Sequence, residues 1–416
     1  MRIHKNVLVY FFLAASALVA SAQEEVNVTT IHVWIKATSK SGESVKSLKQ
    51  EDFEVFEDDR KVEPTCFEEL ALPENAPVAN ASASPGEAAA IPTKKVVLFL
   101  DLYNTSMPEY RFIKPKIQDF LRSFEGKNVD IMVAGVLANR SMGVFAQFTK
   151  DIAKLNELLD KAQPNALRDS TIENNEREIR KTLYSGERFN ADGTKRSPAD
   201  LLSEAYKLAG EYTRQDMEIT RFSLQAVQNF GGYLAKVGGT DRLVVVFVSG
   251  GFSYDPGRRY YDLVDTAAED LREQIDSPTL AIYKKGQDFE FQRALQKSVG
   301  LMNKLNVTLY TINTRGLIVT DPEGIKLNVP RIAKDQQALQ EYGETLSQIA
   351  EETGGISFNN SQNFKLGFNN VFQDLSHQYL VCYSAPAHSK HNEYHKIKVT
   401  VKDPGVKIRY RRGYYE

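Results

Sequence analysis

Four stretches constrain this chain more than any other feature: Lys95 to Leu100 (KVVLFL), Asp130 to Leu137 (DIMVAGVL), Leu243 to Val248 (LVVVFV) and Val307 to Ile312 (VTLYTI). Apolar runs of this length read as strands buried on both faces. Helical patterns lie between and around them. One opens on Ser106-Met107-Pro108-Glu109, a capping box with proline near its start. It carries Ile113, Ile117, Phe120, Leu121 and Phe124 on one face. Helical character also marks Ile152 to Leu159, Ala205 to Lys236, and regions around 259–275, 288–304, 334–353 and 366–377. Gly143 to Phe148 and the short Ile356-Ser357-Phe358 add strands. Buried strands alternating with helices predict an α/β fold, a doubly wound and mostly parallel sheet covered on both faces. With 416 residues, 42% of them hydrophobic, the chain exceeds one small domain.

The flanks are written differently. Residues 26–38 and Asp52 to Glu57 alternate in the manner of half-buried strands, and turn residues separate them. Near the other end, Gln378 to Ser384, Tyr394 to Val401 and Val406 to Tyr410 are strand-like. The expected organisation is a β unit over 23–70, an Ala/Pro/Ser-rich linker over 71–93, the α/β domain over 94–377 with a polar insertion at 164–200, and β strands over 378–416. The two terminal blocks are each small, and are expected to complete one accessory antiparallel unit. Cys66 and Cys382 lie in strand-like stretches near opposite ends. A disulfide between them and two free buried thiols are both open readings.

The N-terminus has the three parts of a secretory signal: Arg2, His4 and Lys5, then an apolar run from Val7 to Ala20, then Ala20-Ser21-Ala22. Cleavage is expected after Ala22. The alternative, an uncleaved anchor, needs a run nearer about 20 residues. The protein is therefore expected to be exported, to a periplasmic or extracellular space, with no transmembrane segment after cleavage. A net charge of −2 offers no footprint for nucleic acid.

Three strand ends are polar or glycine-rich: Asp101 to Ser106 (DLYNTS), Ser249 to Ser253 (SGGFS) and Asn313 to Gly316 (NTRG). An Asp closing a buried strand, with a hydroxyl four places on, can offer oxygen ligands to a hard cation. The pattern resembles the metal-ion-dependent adhesion site of von Willebrand factor type A domains, Asp-x-Ser-x-Ser with a Thr and an Asp from later loops. Asp101 matches the leading Asp and Thr105 the second Ser, while Tyr103 replaces the first. Ser249-Gly250-Gly251 stands where Thr-Asp-Gly is usual, so the second carboxylate is missing and the site is degenerate. The phrases from Glu51 to Asp58, from Val96 to Asp101, from Val307 to Gly316 and from Ile408 to Tyr415 resemble the exported A-related proteins of Acidobacteria. That resemblance implies an A-type fold with flanking β structure and little about function; the adhesion-site pattern is what implies a degenerate site for Mg²⁺ or Mn²⁺ on Asp101 and Thr105.

Other chemistry is poorly supported. His388, His391 and His395 cluster without a helical zinc motif. No G-x-S-x-G elbow, P-loop or dinucleotide fingerprint is present. The Arg409, Arg411 and Arg412 cluster reads as a solvated strand face. The expectation is a non-enzymatic, exported module that binds a protein partner through Asn104, Ser249 and Arg315 around Asp101. Its rival is a structural or assembly protein of the cell envelope whose β unit makes the contacts, with no metal.

Overall fold

A computed structural model describes residues 29–71, 94–164, 168–185, 193–194, 196–237, 242–253, 255–270, 290–316, 343–359, 363–386 and 393–415. The expected signal peptide, all of the linker beyond residue 71, and both His388 and His391 lie outside them. Among the described residues, no helix is long and apolar enough to cross a membrane.

The chain begins with four strands, β1 (Thr30–Thr38), β2 (Phe53–Glu57), β3 (Arg60–Val62) and β4 (Pro64–Ala71). The α/β domain follows with β5 (Lys94–Asp101), α1 (Met107–Arg122), β6 (Val129–Val136), β7 (Met142–Thr149) and α2 (Ile152–Lys161). Next come α3 (Arg168–Arg180), the 40-residue α4 (Pro198–Val237), β8 (Leu243–Ser249), α5 (Arg258–Asp270), α6 (Glu290–Lys304) and β9 (Val307–Asn313). A helix α7 (343–352), then β10 (Ser357–Phe358) and α8 (Phe364–Ser376), complete that domain. Strands β11 (His377–Ser384), β12 (Tyr394–Val401), β13 (Lys407–Arg409) and β14 (Gly413–Tyr415) close the chain.

The central sheet runs β10-β9-β8-β5-β6-β7, with all neighbours parallel except β7, which is antiparallel to β6. Its core strands are apolar throughout because both faces are covered. One face packs Val96, Leu98, Leu100, Val246 and Ile312 under α1, α2 and α8. The other packs Val97, Phe99, Val245 and Phe247 under α4, α6 and α7. Part of the polar 164–200 segment forms α3, which joins α4 and α5 around a separate small core centred on Tyr206 and Tyr260.

The two chain ends interleave in two four-stranded sheets, β13-β1-β11-β4 and β14-β12-β2-β3. Their facing side chains form a third core. Cys66 and Cys382 are register partners on β4 and β11, with Cα atoms 4.8 Å apart, and they are joined as a disulfide. Glu57, at the end of an alternating strand, is 1% exposed, and Tyr414 donates a hydrogen bond to it at 3.0 Å.

The sandwich meets the N-terminal edge of the central sheet through a cluster of cations. Lys36 and Arg409 pair with Asp374 near the end of α8. Lys36 Nζ also donates to the carbonyls of Gln373 and His377, and Lys94 Nζ donates to that of Leu375. The last carbonyls of a helix lack intrahelical donors and sit at its negative pole, so cations belong there. The guanidinium of Arg242 hydrogen-bonds Thr308 and Gln378 and lies 5.1 Å from the Trp34 ring centre. The solvated strand face expected at 409–412 is corrected here. Only Arg412 is exposed, whereas Arg411 is buried and donates to the Asn303 carbonyl. The strand alternates, but the side that looked outward is covered by the α/β domain.

Candidate functional site

Counted in chain order, the six central strands lie side by side as 6-5-4-1-2-3, so the winding reverses between β5 and β8. In doubly wound sheets the crevice outside the carboxyl ends at such a switch point is where ligands bind. Strand β5 ends there in Asp101, and β8 in Ser249.

These two side chains are bonded to each other. The Ser249 hydroxyl donates to Asp101 Oδ2 at 2.7 Å and accepts from the Gly251 N–H at 2.9 Å. Asn104 closes the β5 loop around the same carboxylate. Its backbone N–H donates to Oδ1 at 3.0 Å, and its Nδ2 donates to Oδ2 at 2.6 Å. The same Nδ2 reaches Ser223 Oγ on α4 at 2.9 Å. Burial is near complete, with Asp101 and Asn104 each 2% exposed and Ser249 0%. A carboxylate this deep needs its lone pairs answered, and charge-assisted donors do so best.

The third loop packs onto the first two at Gly250. A side-chain Cβ at that position would lie 2.0 Å from the Asn104 carbonyl oxygen and 2.7 Å from Arg315 Nε, so only glycine fits. Thr314 donates to Glu109 Oε2 at 3.3 Å, and the same oxygen accepts the Ser106 N–H at 2.7 Å. The capping box of α1 is thereby tied to the end of β9.

The structure separates the sequence candidates by role. Tyr103, standing at a hydroxyl position of the adhesion-site pattern, turns into the core. Its ring lies 5.4 Å from that of Phe222 and 5.4 Å from the Arg140 guanidinium. Asn104, Ser249 and Arg315, expected to face a partner, lie inside the loops they stabilise, Arg315 being 8% exposed. The short loops fold back, so their polar groups answer one another instead of solvent. Among the residues that reach the surface at this end are Pro108, Asn139 and Arg140, with Arg258 at the start of α5. Sequence reasoning missed the contribution of α4. Thr213, Thr220 and Ser223 are buried on one helical face, and Thr220 donates to the Ser253 carbonyl at 3.0 Å. Hydroxyl residues spaced by seven and three on an apolar face were the available signal.

A divalent ion is the group that the A-type resemblance implies, and the donors present do not fit one. Both Asp101 oxygens already accept hydrogen bonds, and Asn104 and Ser249 point donors at them. Thr105 Oγ1 and Asn104 Oδ1 are buried and have no hydrogen-bond partner among the described residues. Two neutral oxygens do not replace the second carboxylate that Mg²⁺ chemistry favours. Among the described residues, no three His, Cys, Asp or Glu side chains converge as a metal site. His395, once a zinc candidate, bonds Asp58 Oδ2 at 2.8 Å, and Asp58 Oδ1 also accepts the Lys396 N–H.

No family model matches the sequence, and no curated protein matches it. Solved structures do align with it. An aerotolerance-related membrane protein of Bacteroides fragilis is 12% identical, over 68% of this chain and 98% of its own, with a TM-score of 0.29. The vWF domain of the type V pili tip protein of Porphyromonas gingivalis is 12% identical, over 68% and 95%, with a TM-score of 0.30. A pilus adhesin of Lactobacillus rhamnosus GG is 7% identical, over 87% and 47%, with a TM-score of 0.33. Likeness at this level does not carry a function.

Proposed function

We propose that this protein is an exported binding module that engages a protein partner at the strand-end rim above Asp101, without a metal. The observation that carries this reading is the Asp101–Asn104–Ser249–Ser223 network. It immobilises two strand-end loops and α4 at the switch point, where an open α/β sheet offers its binding crevice. A pre-ordered rim loses little entropy on binding. Export is supported by the signal-like N-terminus and by the cystine, which suits an oxidising space. The finer likeness to A-related proteins of Acidobacteria rests on the sequence phrases alone.

The test places a photo-crosslinking residue at Pro108, Arg140 or Arg258 on the rim, and at Lys398 on β12, in the producing cell. Crosslinking to one discrete species from the rim alone supports the reading. Crosslinking from β12 alone favours an envelope assembly protein working through its β unit. Calorimetry with Mg²⁺ or Mn²⁺ is expected to show no saturable heat, and metal binding abolished by Asp101→Ala would restore the metal-dependent mechanism.

A further inference from the structure

A second site lies away from the rim, where the α/β domain meets the sandwich. A cleft of about 340 Å³ is bounded by α6, α7, β12 and β14 and lined by Gln296, Gly300, Gln348, Glu352, Tyr394 and Tyr415. That volume is in the range of ligand sites. Two tyrosine rings, Tyr394 and Tyr415, pack on each other with centres 5.2 Å apart and planes inclined at 59°, and together form one aromatic wall.

The rings are held differently. Tyr415 lies directly on α6 at Gly300, where a Cβ would sit 2.2 Å from the ring. That close approach fixes the ring, which lines the cleft. Tyr394 is 40% exposed, one of three large hydrophobic side chains open to solvent among the described residues. Its hydroxyl donates to Glu352 Oε2 at 3.5 Å. Partial burial, and then the Glu352 charge, raise the Tyr394 phenol above its ordinary value, so it stays a neutral donor at any physiological pH.

Glu352 is half-buried, and among the described residues no cation lies within ion-pair distance of it, although the charges of Arg411 and Arg412 both reach the neighbouring Tyr394 phenol. Arg412 is adjacent, its N–H donating to the Glu352 carbonyl, but its guanidinium lies over the Tyr410 ring at 6.0 Å. An unpaired carboxylate beside an aromatic wall, with the amides of Gln296 and Gln348 at the rim, is complementary to an organic cation. A planar guanidinium suits it better than an ammonium, because it can stack on a ring while donating two parallel hydrogen bonds to the carboxylate.

We propose that this cleft receives an arginine side chain presented by a partner polypeptide, with Glu352 as the charge partner and the paired Tyr394 and Tyr415 rings as a single stacking wall. The site is independent of the rim around Asp101, so its failure leaves the binding-module reading untouched.

The test titrates acetyl-arginine amide, acetyl-lysine amide and acetyl-glutamate amide into the mature protein, followed by saturation-transfer NMR. The arginine probe is expected to bind saturably with a Kd of about 1 mM, and the lysine probe several-fold more weakly. Glu352→Gln and Tyr394→Ala should each weaken the arginine probe about tenfold. Tyr394→Phe should leave it unchanged, with circular dichroism confirming that each variant is folded. Three results overturn the proposal: no saturation by about 10 mM, equal binding of the lysine or glutamate probe, or unchanged affinity in folded Glu352→Gln.

Discussion

At the scale of single residues, the site is held by small groups making more than one contact each. Asn104 is the clearest case, because its Nδ2 serves Asp101 and Ser223 together. Asn104→Ala removes both bonds and leaves a buried carboxylate short of a donor, at a cost of about 1–3 kcal/mol. Urea unfolding at neutral pH should read that loss, and Ser223→Ala should cost less, since it leaves every donor to Asp101 in place. Gly250→Ala acts by steric conflict, driving a methyl into the Asn104 carbonyl. Overpacking against backbone has no flexible relief, so a loss of about 1–3 kcal/mol is expected in the same assay. Either variant retaining wild-type stability would show that the three loops are not interlocked.

At the scale of elements, the cystine joins an early strand to a late one. Cys66 on β4 and Cys382 on β11 are 316 residues apart, so the bond closes a very long loop. Loop-closure entropy grows only slowly with length, and a loop of this size is worth about 6 kcal/mol on the chain-entropy view. A Cys66→Ser, Cys382→Ser double variant is expected to unfold at a clearly lower temperature than the oxidised protein, and to respond no further to reductant. The fully buried β8 and β9 and the buried body of β5, held within their own sheet, should resist hydrogen exchange longer than the sandwich strands in that variant.

At the scale of the whole molecule, the junction between sandwich and α/β domain is an electrostatic problem. Lys36, Lys94, Arg242 and Arg409 converge there, and Asp374 pairs with two of them. Asp374→Asn leaves those charges uncompensated and is expected to cost about 3–5 kcal/mol, with calorimetry showing two transitions as the units separate. Burial, and then repulsion from Arg242 and Lys36, lowers the Lys94 amine from 10.5 to about 8. The unfolded chain therefore holds more protons than the folded one between pH 8 and 10.5, so stability rises with pH across that window. The gain is about 1–3 kcal/mol. Lys94→Met should reduce the rise, with Lys36, whose amine burial also lowers, supplying the remainder; an undiminished rise would place the titration elsewhere.

What the sequence determined alone was everything written in short-range pattern. Continuous apolar runs marked β5, β6, β8 and β9, the Ser106–Glu109 box marked the start of α1, and alternation marked β2 and β12, because burial on one face or both imposes a period on neighbouring residues. The importance of the Asp101 loop was legible for the same reason: an acid ends a buried strand there. The tertiary structure alone decided what those polar groups do. Asp101 meets Ser249 from 148 residues away and Ser223 through Asn104, and these contacts turn a metal-site pattern into a closed hydrogen-bond network. Tyr103 became core, Arg411 became a buried interface residue, and Glu352 was set beside Tyr394 by the docking of two units. Pairings across such separations leave no period in the chain, since they depend on which surfaces meet once the apolar faces have been buried.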